Sequence, residues 1–104
     1  TMSLLSSLFG FGTKADIPAL VQQGATILDV RSPGEFAQGH VNGAINIPLD
    51  ALERSLKKVP QAKPVITCCR SGARSAMAEG TLRKHGYDAH NGGPWTNVAK
   101  HVQP

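Results

Sequence analysis

Apolar and polar positions along this chain follow two periods. Ala25-Thr26-Ile27-Leu28-Asp29-Val30 and Val65-Ile66-Thr67-Cys68-Cys69 are short, β-branched, almost wholly apolar runs, which read as buried strands. Around them the apolar residues recur at helical spacing. Ile17, Ala19, Leu20 and Val21 follow a helix start at Thr13-Lys14-Ala15-Asp16, with Thr13 as N-cap, Asp16 in the first turn and Gly24 as the stop. Ser32-Pro33-Gly34-Glu35-Phe36 predicts an N-cap, a proline at the first helical position and a short helix ending at Gly39. Asn42-Gly43 marks a turn before a short strand at Ala44-Ile45-Asn46-Ile47. Leu49, Leu52 and Leu56 form a helical stripe within Pro48 to Leu56, and Lys57 to Pro64 reads as a charged, proline-broken connector. Ala76-Met77-Ala78-Glu79 opens a helix that runs to His85, with Gly86 as the residue after its end. Gly80 inside that helix costs about 1 kcal/mol relative to Ala, which close packing against a sheet would explain. Asp88 to Asn91 predicts a last short strand, Gly92-Gly93-Pro94-Trp95 a turn, and Thr96 to Val102 a final helical piece.

Strands alternating with helices predict an α/β fold, a small parallel sheet with helices on both faces. Ligands of such sheets bind outside the carboxyl ends of the strands, where Asp29-Val30-Arg31 and the segment after Cys69 both fall. The 104 residues, 40% hydrophobic and 17% charged, suit one domain with a single core. A formal charge of +4 with only 5% aromatic residues lacks the basic stripe and stacking platforms of a nucleic-acid binder, so no nucleic-acid partner is expected. It does suit attraction of a small anion. No apolar run reaches membrane-spanning length. Leu4, Leu5, Leu8, Phe9 and Phe11 predict the apolar face of a short helix, without the basic region and cleavage site of a signal peptide. The chain thus divides into an apolar segment over 1–12 and a domain over 13–104. Cys68 and Cys69 are adjacent and cannot form a cross-linking framework, so free thiols and a reducing, cytoplasmic setting are expected.

The chemistry concentrates in Cys68-Cys69-Arg70-Ser71-Gly72-Ala73-Arg74-Ser75, a loop between a strand and a helix start. The free N–H groups of a helix start converge on such a loop, and the helix dipole favours negative charge there. A cysteine so placed ionises more readily than a free one, whose pKa is about 8.5. The loop therefore proposes a thiolate nucleophile in a cradle shaped for oxyanions. His85, His90 and His101 lack ligand spacing with either cysteine, so neither a metal nor a cofactor is expected.

Asp29-Val30-Arg31, then Glu35-Phe36, then Gly39-His40-Val41, Gly43-Ala44 and Asn46-Ile47-Pro48, then Cys69-Arg70-Ser71-Gly72-Ala73-Arg74-Ser75, then Gly92-Gly93 and Trp95, resemble the single-domain rhodanese family in its order. The resemblance covers the chain from about Ala15 to Trp95. It implies a rhodanese-like fold and sulfurtransferase chemistry. In that chemistry a catalytic cysteine takes a sulfane sulfur from a donor such as thiosulfate, becomes a persulfide, and passes the sulfur to cyanide or a cellular thiol.

Two cysteines compete for the role. From Cys69 the pattern is Cys-x-x-Gly-x-Arg, the six-residue loop of sulfurtransferases. From Cys68 it has the spacing of cysteine-based phosphatases and arsenate reductases, with Arg74 as a bidentate clamp on a tetrahedral anion. Gly72 stands three residues after Cys69, and Thr67 rather than a histidine precedes Cys68; both features favour Cys69. Arg70 to Ser75 then supply the anion contacts, through the backbone of Ser71, Gly72, Ala73 and Ser75 and the side chains of Arg70 and Arg74. Within the family a basic residue directly after the cysteine goes with thiosulfate, which makes Arg70 the pointer to the donor. Asp29 and Arg31 are expected to brace the loop, Glu35 to pair with an arginine such as Arg31, and His40 to be structural. Trp95 is a pocket wall or a core anchor. The partners implied are a small anionic sulfur donor and a thiol or cyanide acceptor, or a protein that receives the sulfur. A catalytically inactive interaction module is the alternative of another class, and Cys69 argues against it.

Overall fold

The computed structural model describes residues 15–103. Strands β1 (Thr26–Asp29), β2 (Ile45–Asn46), β3 (Val65–Cys69) and β4 (Ala89–Pro94) form one sheet in the order β2-β1-β3-β4, with every pair parallel. The two apolar runs are its central strands, β1 and β3. Parallel strands need crossover connections, and these are helical: α1 (Ile17–Gln22) precedes β1, α2 (Pro33–Gln38) follows it, α3 (Ala73–Lys84) joins β3 to β4, and α4 (Trp95–Ala99) leaves β4.

The helices divide between the two faces, so each side of the central strands is covered. Successive β3 side chains point to opposite faces. Val65 and Cys69 join Leu28, Leu52, Ala78 and Leu82 in one cluster, under α3 and the turns after β2. Ile66 and Cys68 join Leu20, Ile27, Val41 and Val98 in the other, under α1 and α4. Every β3 residue is buried between the two faces, which explains why its sequence shows no polar alternation.

Several local expectations change. Asp16, not Thr13, is the N-cap of α1: its side chain accepts from Ala19 N at 3.2 Å, because Pro18 in the first turn has no N–H and a φ suited to a helix start. Thr13 and the apolar Leu4-to-Phe11 stretch lie outside the described residues. The leucine stripe after Pro48 forms two 3₁₀ segments, Leu49–Ala51 and Glu53–Lys58, with a break at Ser55 (φ −121°) instead of one α-helix. Gly92, Gly93 and Pro94, expected as a turn, continue β4 through an irregularity in its register with β3. Gly92 is required there by close approach: a Cβ would stand 2.7 Å from Ile66 Cγ2, 2.7 Å from Val98 Cγ2 and 2.9 Å from Thr67 O. Gly80, expected to pack against the sheet, instead faces open space on the outer side of α3.

Candidate active site

Strand β3 ends at Cys69 and α3 begins at Ala73, so the chain reverses within Arg70-Ser71-Gly72. Gly72 is the N-cap of α3 with φ +107°, a backbone region strained for any residue with a Cβ. That curl points the first N–H groups of the helix at the sulfur. Cys69 Sγ accepts from Gly72 N at 3.0 Å and from Ser75 N at 3.4 Å, and lies 3.4 Å from Ser75 Oγ. Thr67 Oγ1 donates to Ser75 O at 2.8 Å, which ties the start of α3 to β3. Burial pushes the Cys69 thiol up, but hydrogen bonds from the Ser75 hydroxyl and from the Ser75, Gly72 and Ser71 N–H groups outweigh it, and the thiol is held below its ordinary value. This is the helix-start cradle the sequence predicts, with sulfur at its focus.

Cys68 is the opposite case, although it is the adjacent residue. It faces the other cluster, takes none of these donors, and is pushed up to about 12 by desolvation first and by the Asp29 carboxylate second. A nucleophile at Cys68 would have to ionise among Leu20, Ile66 and Val98. The Cys68 sulfur thus lies on the opposite face of β3 from the helix-start donors.

Asp29 and Arg31 form a buried pair at the carboxyl end of β1, with Arg31 Nη2 2.7 Å from Asp29 Oδ2. Arg31 N also donates to Asp29 Oδ1 at 3.0 Å, and Arg31 Nη2 to Gly39 O at 2.7 Å. The guanidinium lies over the Trp95 ring, 4.9 Å from its centroid. Trp95 packs with the cluster on the Cys68 side, as a core anchor and a platform for Arg31. Asn46 donates to both Asp29 O and Arg31 O at 3.0 Å, which is the use of the polar residue in β2.

Glu35 does pair with an arginine, but with Arg74 and not Arg31, since Asp29 already occupies Arg31. Arg74 Nη1 and Nη2 lie 2.8 and 3.0 Å from the two Glu35 oxygens. Glu35 also accepts from Ser32 N at 3.0 Å and completes the capping box of α2. The Arg74 hydrogen bonds, then the Ser32 N–H, hold the Glu35 carboxyl well below the usual carboxylate range. Both ends of the Arg74 fork, expected at the anion, are thus engaged by α2. Arg70, Ser71 and Ala73 are exposed at the loop. Among the described residues no carboxylate pairs with Arg70. His40 stacks on Phe36 at 3.7 Å and its Nδ1 lies 2.7 Å from Phe36 O, so Nδ1 carries the proton and the ring closes the end of α2.

Asn91 is a residue that the sequence reading missed. It lies in β4 beside the register irregularity, and its Oδ1 accepts from Ser75 Oγ at 2.7 Å and from Gly93 N at 2.9 Å. Its Nδ2 reaches Gly72 O at 3.4 Å, and its own N–H is held by Glu79 Oε2 at 2.9 Å. The available signal was an asparagine directly before Gly92-Gly93, a pair that departs from regular strand geometry.

A family model described as Rhodanese-like domain matches residues 13–93. The chain is 45% identical over 62 residues to the protein YqhL of Bacillus subtilis, covering 60% of this chain and 49% of that protein. It is 37% identical over 75 residues to the thiosulfate sulfurtransferase PspE of Escherichia coli, covering 69% of this chain and 72% of that protein. The human single-domain sulfurtransferase TSTD1 superimposes with a TM-score of 0.71 at 28% identity, over 85% of this chain and 93% of that one. The chain belongs to the rhodanese-like domain family, whose members here include single-domain sulfurtransferases. It spans about half the length of some curated relatives it matches, as with the 49% of YqhL. Among the described residues no helix is long and apolar enough to cross a membrane.

Proposed function

We propose that the chain is a sulfurtransferase that moves a sulfane sulfur from thiosulfate, or a similar anionic donor, through a persulfide on Cys69 to cyanide or a thiol. The observation that carries this reading is the set of N–H donors, Gly72 at 3.0 Å and Ser75 at 3.4 Å, converging on the sulfur of Cys69. The Cys69 thiolate attacks the sulfane sulfur of thiosulfate. A new S–S bond forms, the sulfane–sulfonate bond breaks, and its electron pair leaves on sulfite. The acceptor, cyanide or a thiolate, then attacks the terminal sulfur of the persulfide and returns Cys69 as a thiolate. Neither half needs a general base, because each attacking group, the Cys69 thiolate and then cyanide or a thiolate, is already an anion. The N–H cradle stabilises the anionic sulfur in each form, as an oxyanion hole does for oxygen.

Arg70 is the side chain for the donor, exposed at the loop and unmatched by a carboxylate among the described residues, whereas Arg74 is held by Glu35. Ser71, Gly72, Ala73 and Ser75 contribute backbone. Both cysteines are free, which fits a reducing cytoplasmic setting, and a protein acceptor is compatible with the exposed loop. Mass spectrometry after thiosulfate treatment tests the reading. One added sulfur atom should appear on the Cys69 peptide, persist in Cys68→Ser, and vanish in Cys69→Ser together with sulfur transfer to cyanide. Sulfur found on Cys68, or activity lost only in Cys68→Ser, would overturn the assignment.

A further inference from the structure

The Ser75 hydroxyl has one hydrogen and stands among three acceptors: Asn91 Oδ1 at 2.7 Å, Gly72 O at 3.0 Å and Cys69 Sγ at 3.4 Å. While Cys69 is a thiol, its S–H donates to Ser75 Oγ and the hydroxyl hydrogen goes to Asn91, the shortest of the three. A charged sulfur has no hydrogen to give and needs donors, so the hydroxyl must turn toward it. The cost of that turn depends on what it abandons, since a stranded buried acceptor is expensive. Here nothing is stranded. Asn91 Oδ1 keeps the Gly93 N–H at 2.9 Å, and Gly72 O keeps the Ala76 N–H at 3.0 Å and Asn91 Nδ2 at 3.4 Å. The Gly93 N–H also fixes which end of the carboxamide is oxygen, and Glu79 holds the Asn91 backbone from behind at 2.9 Å.

We infer that Asn91 is a positioning residue of the sulfur site: its carboxamide holds the Ser75 hydroxyl while Cys69 is neutral and yields it to the sulfur when the sulfur is charged. This rests on the reading of Cys69 as the reacting sulfur. Asn91 competes with the thiolate for one hydrogen, so it favours the thiol. Removing its oxygen should shift the hydroxyl toward the sulfur and lower the ionisation midpoint of Cys69. The charged and titratable groups around the site are Arg70 in the loop beside Cys69, Arg74 and Glu79 on α3, Glu35 on α2, Asp29 at the end of β1, Arg31 just after that strand, and Cys68 and His90 on β3 and β4. They are common to every variant and cancel in a comparison.

The test is the pH profile of Cys69 alkylation by neutral iodoacetamide, with the modified residue located by mass spectrometry. The proteins compared are the native chain, Asn91→Ala, Ser75→Ala and the double variant. Asn91→Ala should raise the rate below the midpoint about two- to tenfold, the worth of one hydrogen bond, and the gain should disappear in the Ser75→Ala background. An unchanged or raised midpoint in Asn91→Ala, or an equal shift in both backgrounds, would overturn the inference. Should Asn91→Ala fail to fold, Asn91→Asp keeps the acceptor and adds charge; its midpoint should rise, and an unchanged or lowered one would count against the inference. The readout is ionisation and not sulfur transfer. A Cys69 that alkylates as described but gains no sulfur from thiosulfate defeats the sulfurtransferase reading and leaves this one standing.

Discussion

Adjacent residues on a strand can have opposite chemistry, and the cysteines of β3 are such a pair. Cys69 faces the start of α3 and receives its N–H groups; Cys68 faces apolar side chains and the Asp29 carboxylate. Two measurable consequences follow from that alternation. At neutral pH, iodoacetamide should modify Cys69 and leave Cys68 untouched in the folded protein. Stability at alkaline pH should carry the signature of Cys68. Its folded value is raised to about 12, against about 8.5 for a free thiol. Below the free value both folded and unfolded chains hold the proton, and the group is neutral to stability. Above it the unfolded chain ionises while the folded chain does not, so stability is lost as pH rises from about 8.5 toward about 12. Cys69, lowered in the fold, has the reverse slope, and its effect is complete by the free thiol value. Urea denaturation of the native chain and of Cys68→Ala across that alkaline range isolates the effect. The native chain should lose stability faster with pH than Cys68→Ala. Parallel curves would mean that Cys68 ionises in the fold.

At the scale of elements, two glycines in regular structure make opposite predictions. Gly80 lies in α3 with nothing near its missing side chain, so Gly80→Ala should stabilise by about 0.5–1 kcal/mol through helix propensity and a less free unfolded chain. Gly92 in β4 has Ile66, Val98 and the Thr67 carbonyl within 3 Å of a Cβ, so Gly92→Ala should destabilise by about 1–3 kcal/mol through overpacking. Thermal melting of the two variants checks both signs. The sequence pattern reads Gly80 as a packing glycine and Gly92 as part of a turn, and the reversal shows where pattern reasoning stops. The central strands and the helices after β1 and β3 were legible because apolar runs and caps are local signals. The Gly92 contact is not local: it depends on Ile66 in β3 and Val98 in α4. The cradle itself was legible, since a helix start after a strand end is a local event. Its supports were less so. Glu35 was recognised as an arginine's partner, but which arginine depends on α2 and α3 meeting across 39 residues of chain. Asn91 was missed because its role exists only where β4 passes the start of α3.

For the whole molecule, the proposed function requires a thiolate to meet an anionic donor that repels it. The fold answers part of this requirement by placing the cradle at the carboxyl end of β3, beside that of β1, where helix starts gather. The sequence answers another part with a formal charge of +4, which attracts anions over distances that salt screens. Arg70, exposed at the loop, is the residue proposed to add a local contribution. These shares can be separated. Raising ionic strength should lower kcat/KM for thiosulfate and leave alkylation by neutral iodoacetamide nearly unchanged, because only the charged reagent is steered. Arg70→Ala should lower kcat/KM for thiosulfate by about ten- to a hundredfold, the range of a charge-assisted hydrogen bond. It should slow alkylation much less. It should also flatten the salt dependence only in part, since the rest of the positive surface is intact. Equal slowing of both reactions would place Arg70 on the cysteine rather than the donor. If neither reaction slows, the arginine has no part in the site, and the preference for thiosulfate loses the residue that supports it.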